Sequence, residues 1–167
     1  MKPLDRATDP APPTVSVGHV HLRVADLDRA IGFYSEVLGF DVMQTFGEEA
    51  AFLSVGGYHH HLGLNTWNSK GGFPPPKGHT GLYHTAFLYP TRADLGRAVK
   101  RVLNAGHPIT GKADHGVSEA VYLNDPDGNG VELYWDRPKT EWPLNAERTL
   151  AMINAPLDLD ALIADGA

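Results

Sequence analysis

The chain has 167 residues, of which 42% are hydrophobic and 20% charged, the composition of one globular domain long enough to bury its own core. Its net charge of −6 at neutral pH offers no basic surface to a phosphate backbone, so we expect no nucleic-acid partner. The absence of cysteine excludes disulfides, thiolate nucleophiles and cysteine-ligated metals. Any bound metal must therefore be held by histidine and carboxylate side chains.

The first fourteen residues contain prolines at positions 3, 10, 12 and 13, scattered charges and no apolar run that could form a signal-peptide core. Residues 1–14 are therefore predicted to form a disordered arm. Later in the chain, nothing approaches the roughly 18 consecutive apolar residues of a membrane helix. We expect no membrane association and a cytoplasmic location.

The segment after the arm predicts a strand and then an amphipathic helix, with Asp26 as the helix N-cap. Because side chains alternate along a strand, His19, His21 and Arg23 share one face, while the intervening residues are apolar. A helix packs against an apolar strand face. The polar face is therefore expected to look into a polar cavity.

The same order recurs after His84, where residues 84–88 predict a strand and Thr91 the N-cap of a second amphipathic helix. Three short strand-like runs follow the helix in each copy. They are residues 41–46, 50–55 and 58–67 in the first copy and 108–112, 119–124 and 131–136 in the second. Each copy thus has the order β-α-β-β-β, an internal repeat.

The repeat sets the domain organisation. A linker at residues 69–79 contains two glycines and the run Pro74 to Pro76, which cannot continue a strand ladder. Duplicated modules that cover each other's apolar faces need no shared active site, so the repeat alone does not establish a function. The predicted units are module one at 15–68 and module two at 80–142, together one domain at 15–142, and a C-terminal tail with a short helix at 143–167.

Three stretches resemble the vicinal-oxygen-chelate superfamily, which includes glyoxalase I, antibiotic-resistance binding proteins and extradiol dioxygenases. They are GHVHLRVADLDRAIGFYSEVLGF, GLYHTAFLYPTRADL and DPDGNGVELYWDRP. The resemblance spans residues 15 to about 142. It implies an α+β fold in which two β-α-β-β-β modules form a curled mixed sheet around a metal site.

The resemblance also implies a set of metal ligands. The histidine that opens the first strand of each module falls on His19 and on His84, and the carboxylate of the last strand falls on Glu132. Two imidazoles and one carboxylate leave open positions on an octahedral metal, as in non-haem iron(II) oxygenases. Iron(II) is the favoured cofactor, with Mn(II), Ni(II) and Zn(II) as alternatives. Taken singly, a strand histidine is more often structural, and Glu132 could be an exposed strand residue.

The run at residues 58–67 distinguishes members of the superfamily. Glyoxalase I-like enzymes carry a fourth, carboxylate ligand here, whereas this run has no Asp or Glu. It resembles instead the extradiol dioxygenases, in which a histidine before a short apolar strand is the acid–base residue. That role falls on His60, with His61 as the competing register because a one-residue slip exchanges the two strand faces. His61 is otherwise assigned to the substrate pocket together with His21 and Arg23.

His115 and Tyr122 ahead of Glu132 also resemble the dioxygenase pattern, in which both are catalytic. Tyr122 precedes Glu132 by ten residues (132 − 122), and the turn at residues 125–130 would set the two side by side on paired strands. The match of His115 requires a gap of about two residues. The plainer readings are strand packing for Tyr122, a loop histidine for His115 and a solvated patch for the three consecutive histidines.

The resemblance therefore implies an Fe(II)-dependent, catechol 2,3-dioxygenase-like enzyme of aromatic degradation that acts on a small aromatic diol and O₂, with a homodimer expected. Typical extradiol enzymes have four modules, whereas this chain has two. A metal-dependent lyase, isomerase or epimerase is the alternative, followed by a non-catalytic binding or resistance protein, since the binding members lack the metal triad. The sequence leaves open the substrate, the metal, and whether one chain or two completes the site.

Overall fold

The structure is a computed structural model that describes residues 10–167, so most of the predicted N-terminal arm lies outside the described residues. Each module forms one four-stranded mixed sheet. The first comprises β1 (Val20–Arg23), α1 (Leu27–Gly32), β2 (Asp41–Phe46), β3 (Ala50–Ser54) and β4 (Leu62–Asn65). The second comprises β5 (Thr85–Leu88), α2 (Arg92–Asn104), β6 (Ile109–Asp114), β7 (Ser118–Asn124) and β8 (Gly130–Asp136).

The two sheets have the same topology, with strand orders β1-β4-β3-β2 and β5-β8-β7-β6. In each sheet the first strand pairs in parallel with the last strand of its module, and the other pairs are antiparallel. The repeated β-α-β-β-β order predicted from the sequence is thus confirmed, and so is the α+β class. The sheets are not closed into a barrel.

Both predicted helix starts are confirmed by their capping bonds. The Asp26 side chain accepts from the Arg29 N–H at 3.0 Å, and the Thr91 hydroxyl accepts from the Asp94 N–H at 3.0 Å. Helix α1 continues into a π-helical turn at Phe33–Val37, and the chain then leaves it at Gly39, whose φ of +84° suits glycine.

One continuous cluster of buried apolar side chains joins the two modules. Leu22 and Val24 of the first module and Leu95 and Val99 of the second belong to it, as do strand residues such as Leu133. As the alternation predicted, His21 and Arg23 on the opposite face of β1 are exposed. The apolar side of each sheet therefore faces this shared core, which leaves the polar side of β1 available for a site.

The turn between β7 and β8 holds the two modules together. Asp125 is 4% exposed, and its carboxylate accepts from the Tyr34 hydroxyl of the first module at 3.0 Å. Asp127 accepts from the Ala25 N–H at 3.1 Å and from the Arg29 guanidinium at 2.7 Å. The turn therefore reverses the chain, as predicted, and also docks the beginning of α1.

The strand predicted at residues 58–67 is shorter in the structure, where only Leu62–Asn65 is β4. Gly56 and Gly57 have φ values of +65° and +76°, so the chain turns there and the histidines form the connection into β4. The predicted tail helix is present as α3 (Leu159–Asp165).

Helix α3 packs closely on α2. A Cβ atom added at Gly96 would lie 2.2 Å from the Leu162 carbonyl oxygen, so the two helix backbones are in direct contact. Arg92 of α2 contributes as well, since it pairs with both Glu119 and Asp165. In the described part of the chain, no helix is long and apolar enough to cross a membrane.

Candidate active site

The second sheet brings His84 and Glu132 into direct contact. His84 immediately precedes β5, and Glu132 of β8 lies opposite Ala86 of β5 and Tyr122 of β7. The His84 Nε2 atom is 2.8 Å from the Glu132 Oε2 atom. The other carboxylate oxygen, Oε1, is 3.2 Å from the Tyr122 hydroxyl. The predicted side-by-side placement of Tyr122 and Glu132 is therefore present.

His115 extends this line of contacts. Its Nε2 atom lies 2.8 Å from the Tyr122 hydroxyl, so His84, Glu132, Tyr122 and His115 form one continuous chain of polar contacts. Burial, and then the neighbouring Glu132 carboxylate, raises the pKa of Tyr122 to about 12. Tyr122 thus holds its proton near neutral pH and can donate it in a hydrogen bond.

His84 and Glu132 fit a divalent metal. Two donor atoms bound to one metal at about 2.1 Å and at right angles are about 3.0 Å apart, close to the 2.8 Å between Nε2 and Oε2. The Nδ1 atom of His84 is buried without a hydrogen-bond partner among residues 10–167, so Nε2 is the nitrogen that it offers. An imidazole and a carboxylate are ligands for iron, manganese, nickel or zinc.

In the first module, His60 lies next to His19, and His59 lies next to His60. The His60 ring lies 4.5 Å from the His19 ring, centre to centre, and 5.1 Å from Phe52, while its Nδ1 atom is 2.7 Å from Nδ1 of His59. Burial, and then the neighbouring His19, lowers the pKa of His60. His61 is held differently, because its Nδ1 atom lies 2.8 Å from the Ser54 hydroxyl. The assignment of the acid–base role to His60 rather than His61 stays a prediction.

His21 is oriented by neighbours that the sequence did not single out. Its Nε2 atom lies 2.9 Å from the Asn65 side-chain nitrogen, and its ring packs near Trp67. A Cβ atom at Gly63 would come within 2.8 Å of the His21 ring, so only glycine leaves room for the ring in this position. Burial, and then His19, lowers the pKa of His21. Arg23 lies further along β1, beside a small cleft lined by Asp127.

The structure brings the predicted site residues together as two groups. His84, Glu132, Tyr122 and His115 form one, and His19, His60 and their neighbours form the other. Both His19 and His84 line a single cleft of about 450 Å³ between the modules. Within residues 10–167, however, no three His, Asp or Glu side chains converge as a metal-ligand group. The three-ligand set of His19, His84 and Glu132 therefore stays a prediction.

The comparisons with known proteins identify the family. Residues 16–133 match the family model of the glyoxalase/bleomycin resistance protein/dioxygenase superfamily. The chain belongs to this superfamily. A solved glyoxalase/dioxygenase from Nostoc punctiforme shares the fold, with 24% identity, a TM-score of 0.63, and coverage of 80% of this chain and 100% of that one.

Two curated relatives point to different reactions. A catechol-2,3-dioxygenase from Bacillus subtilis is 38% identical over 89% of this chain, which covers 51% of that protein. The lactoylglutathione lyase GLX1 of Arabidopsis thaliana is 32% identical over 74% of this chain, which covers 45% of that protein. The chain thus spans about half the length of both relatives, and its relatedness extends to dioxygenases and to lyases.

Sequence reasoning missed several residues that support the site. Asn65 orients His21, and Phe52 packs on His60. Gly63 lies opposite His21, and Asn65 is two residues further along β4. Because side chains alternate along a strand, Asn65 is on the same face as Gly63, and this alternation was a signal that it could contact His21. The backbone of Ile153 contacts His115. A contact between residues so far apart in sequence leaves no local pattern.

Proposed function

We propose that the chain is an Fe(II)-dependent extradiol dioxygenase that cleaves the ring of a small catecholic substrate. The observation that carries this proposal is the line of contacts from His84 through Glu132 and Tyr122 to His115. It joins two ligand-type side chains to two hydrogen-bonding groups of the kind that a bound diol requires. The resemblance to the Bacillus subtilis catechol-2,3-dioxygenase supports the same reaction.

In this proposal His84 Nε2, Glu132 and His19 hold the iron. Bound there, iron supplies positive charge that favours deprotonation of the diol, together with open positions for diol and O₂. The 2.8 Å approach of His84 to Glu132 supports the first two ligands. The cleft shared by His19 and His84 supports the third.

His60 is the proposed acid–base residue. In this proposal Nδ1 of His60 donates to Nδ1 of His59, 2.7 Å away, so Nε2 of the neutral ring has the lone pair that accepts a proton from the substrate and later returns it. The lowered pKa of His60 keeps the ring neutral near pH 7, the form that accepts a proton. Phe52, packed on the His60 ring, limits the motion of this group.

Tyr122 and His115 are proposed to hydrogen-bond the substrate oxygens beside Glu132. Tyr122 keeps its proton near pH 7 because its pKa is raised to about 12. His21, with Nε2 held by Asn65, is proposed to line the substrate pocket, as are His61 and Arg23.

We further propose that the protein is a homodimer. The chain covers 51% of the Bacillus subtilis dioxygenase, and two copies would supply four modules, the number typical of extradiol enzymes. The polar face of β1 is exposed in the single chain, and the two sheets remain open. Pairing with a second copy would enclose these surfaces.

A glyoxalase-like lyase, isomerase or epimerase is the second candidate. The resemblance to the Arabidopsis thaliana lactoylglutathione lyase favours it. Against it, β4 (Leu62–Asn65) contains no carboxylate that could act as the fourth ligand implied for that branch.

The experiment that separates the two candidates uses protein purified without oxygen and loaded in parallel with Fe(II), Ni(II) or Zn(II). The dioxygenase proposal predicts that only the iron form converts catechols, on admission of O₂, into a yellow ring-opened semialdehyde. Turnover of a hemithioacetal by the nickel or zinc form, with no oxygen consumed and no reaction of the iron form with catechols, would establish the lyase instead.

A further inference from the structure

The C-terminal segment at residues 143–155 folds back onto the loop that carries His115. The Ile153 N–H donates to the His115 carbonyl at 3.1 Å, and the Ile153 carbonyl lies 3.2 Å from Nδ1 of the His115 ring. One step on, Asp114 and Ala155 exchange two backbone hydrogen bonds, at 2.9 and 2.8 Å. The segment lies beyond residue 133, where the match to the family model ends.

The contact with Ile153 determines which ring nitrogen of His115 carries a proton. A backbone carbonyl has no proton to donate, so the Nδ1 atom facing it must be the donor. With Nδ1 protonated, the Nε2 atom of the neutral ring carries a lone pair. That lone pair points at the Tyr122 hydroxyl, 2.8 Å away.

The Tyr122 hydroxyl has one proton and two neighbours. If neutral His115 accepts it, none is left for the 3.2 Å contact between Tyr122 and Glu132. If Tyr122 donates to Glu132, Nε2 of His115 must carry a proton of its own and the ring is an imidazolium. The Ile153 contact thus excludes a neutral His115 that donates toward the site. As long as the ring is neutral, Nε2 is a hydrogen-bond acceptor there.

The segment is held in place at several points. Leu157 and Leu162, which follow it, are 5% and 0% exposed in the core. At the other side of the loop, Gly116 has a φ of +74°, and a Cβ atom there would lie 2.8 Å from Pro143 Cγ and 3.2 Å from Ile153 Cγ1. The loop and the segment therefore fit each other closely only with glycine at position 116.

We propose that residues 143–155 are a positioning element that fixes His115 in the Nδ1–H tautomer and so presents Nε2 as an acceptor to Tyr122 and to the substrate. Ile153 acts through its backbone, and its half-exposed side chain is not required. The catalytic consequence rests on the proposed function, whereas the tautomer is a property of the folded chain.

The direct test is histidine ¹⁵N NMR on the full-length diamagnetic protein, metal-free or zinc-loaded, at a pH where the ring is neutral. His115→Gln identifies the His115 signals by their loss. The proposal predicts a protonated Nδ1 and a bare Nε2. A protonated Nε2, or an average of the two tautomers, would overturn it whether or not the protein cleaves catechols.

Two variants probe the segment itself. Ile153→Pro removes the N–H that bonds the His115 carbonyl, and Ile153→Ala is the matched control that keeps the backbone. We expect Ile153→Pro to mix the two tautomers and to lower kcat about 10- to 100-fold with a smaller change in KM, the size of effect seen when a contact that orients a metal-binding histidine is lost. Ile153→Ala should leave tautomer and kcat unchanged.

Gly116→Ala is the second route, should Ile153→Pro not fold, because its added methyl displaces Pro143 and Ile153 while leaving their backbones chemically intact. Suppose that Ile153→Pro and Gly116→Ala, or whichever of them folds, keep the single Nδ1–H tautomer and the wild-type kcat. That result would contradict the proposal. If the variants mix tautomers in a protein that turns over no catechol, the positioning role stands and only the proposed function fails.

Discussion

Replacing Tyr34 with Phe removes the buried hydroxyl that joins the first module to the turn between β7 and β8. Tyr34 is 0% exposed, and its hydroxyl donates to Asp125 Oδ2 at 3.0 Å. The Asp125 carboxylate also accepts from the Asp127 N–H and from both the backbone and the side chain of Asn129. The variant therefore deprives a buried carboxylate of one of four donors.

The expected loss is set by the charge of the acceptor. A hydrogen bond to a charged group contributes about 1.5 to 3 kcal/mol, and the three remaining donors keep the cost near the lower end of that range. We expect the free energy of unfolding to fall by about 2 kcal/mol. For a chain of this size that corresponds to a decrease in Tm of roughly 4 to 8 °C.

Urea unfolding followed by circular dichroism measures this loss. Tyr89→Phe is the matched control. Burial and the charges of Arg101 and Asp94, rather than a hydrogen bond, shift the pKa of the Tyr89 hydroxyl, so its removal should cost less than about 0.5 kcal/mol. If Tyr34→Phe were as stable as Tyr89→Phe, the contact between Tyr34 and Asp125 would contribute nothing to holding the modules together.

The same variant has a defined pH dependence. Burial, and then the Asp125 carboxylate, raises the pKa of Tyr34 above its ordinary value. The folded protein thus binds this proton more tightly than the unfolded chain does, so the contribution is fully present below about pH 10 and is lost as the pH rises further. The wild type should lose up to about 1.4 kcal/mol per pH unit there from Tyr34 alone. The difference in the free energy of unfolding between the wild type and Tyr34→Phe should therefore become smaller above pH 10. A difference that stays constant with pH would refute the reasoning.

Two further predictions concern the site. His84→Ala or Glu132→Ala should abolish stoichiometric metal binding, measured by metal analysis, because two remaining ligands hold a divalent ion poorly. The control variant His79→Ala should keep its metal. If the two ligand variants contained as much metal as His79→Ala, the ligand assignment would be refuted. His60→Gln should keep the metal and lower turnover by roughly 10² to 10⁴, while His61→Gln should cost far less. Opposite behaviour of the last two variants would move the acid–base role to His61.

The fold was predictable because its signals are local and repeated. Asp26 and Thr91 cap their helices as expected, and the alternation from His19 to Val24 separates an exposed polar face from a buried one. The ten-residue spacing from Tyr122 to Glu132 spans one tight turn, so their pairing followed from strand geometry.

Contacts between distant segments were not predictable in the same way. Tyr34 meets Asp125 across 91 positions, and His115 meets Ile153 across 38. Neither pair has a motif, because a hydroxyl or a backbone carbonyl serves equally well from any segment that packs nearby. The distance from His19 to the contact between His84 and Glu132 depends likewise on how the two sheets are placed relative to each other. No spacing in the sequence encodes that placement.

Oxygen-isotope labelling tests the central claim most directly. Iron-loaded protein prepared without oxygen is given a catechol and then ¹⁸O₂, and the mass of the ring-opened product is measured by mass spectrometry. An extradiol dioxygenase inserts both atoms of one O₂ molecule into its product. The account therefore predicts a product four mass units heavier than that formed with ¹⁶O₂, after correction for aldehyde oxygen that exchanges with water. It also predicts that one O₂ is consumed per ring opened. A product whose new oxygens all come from water, or conversion of substrate without oxygen consumption, would contradict it.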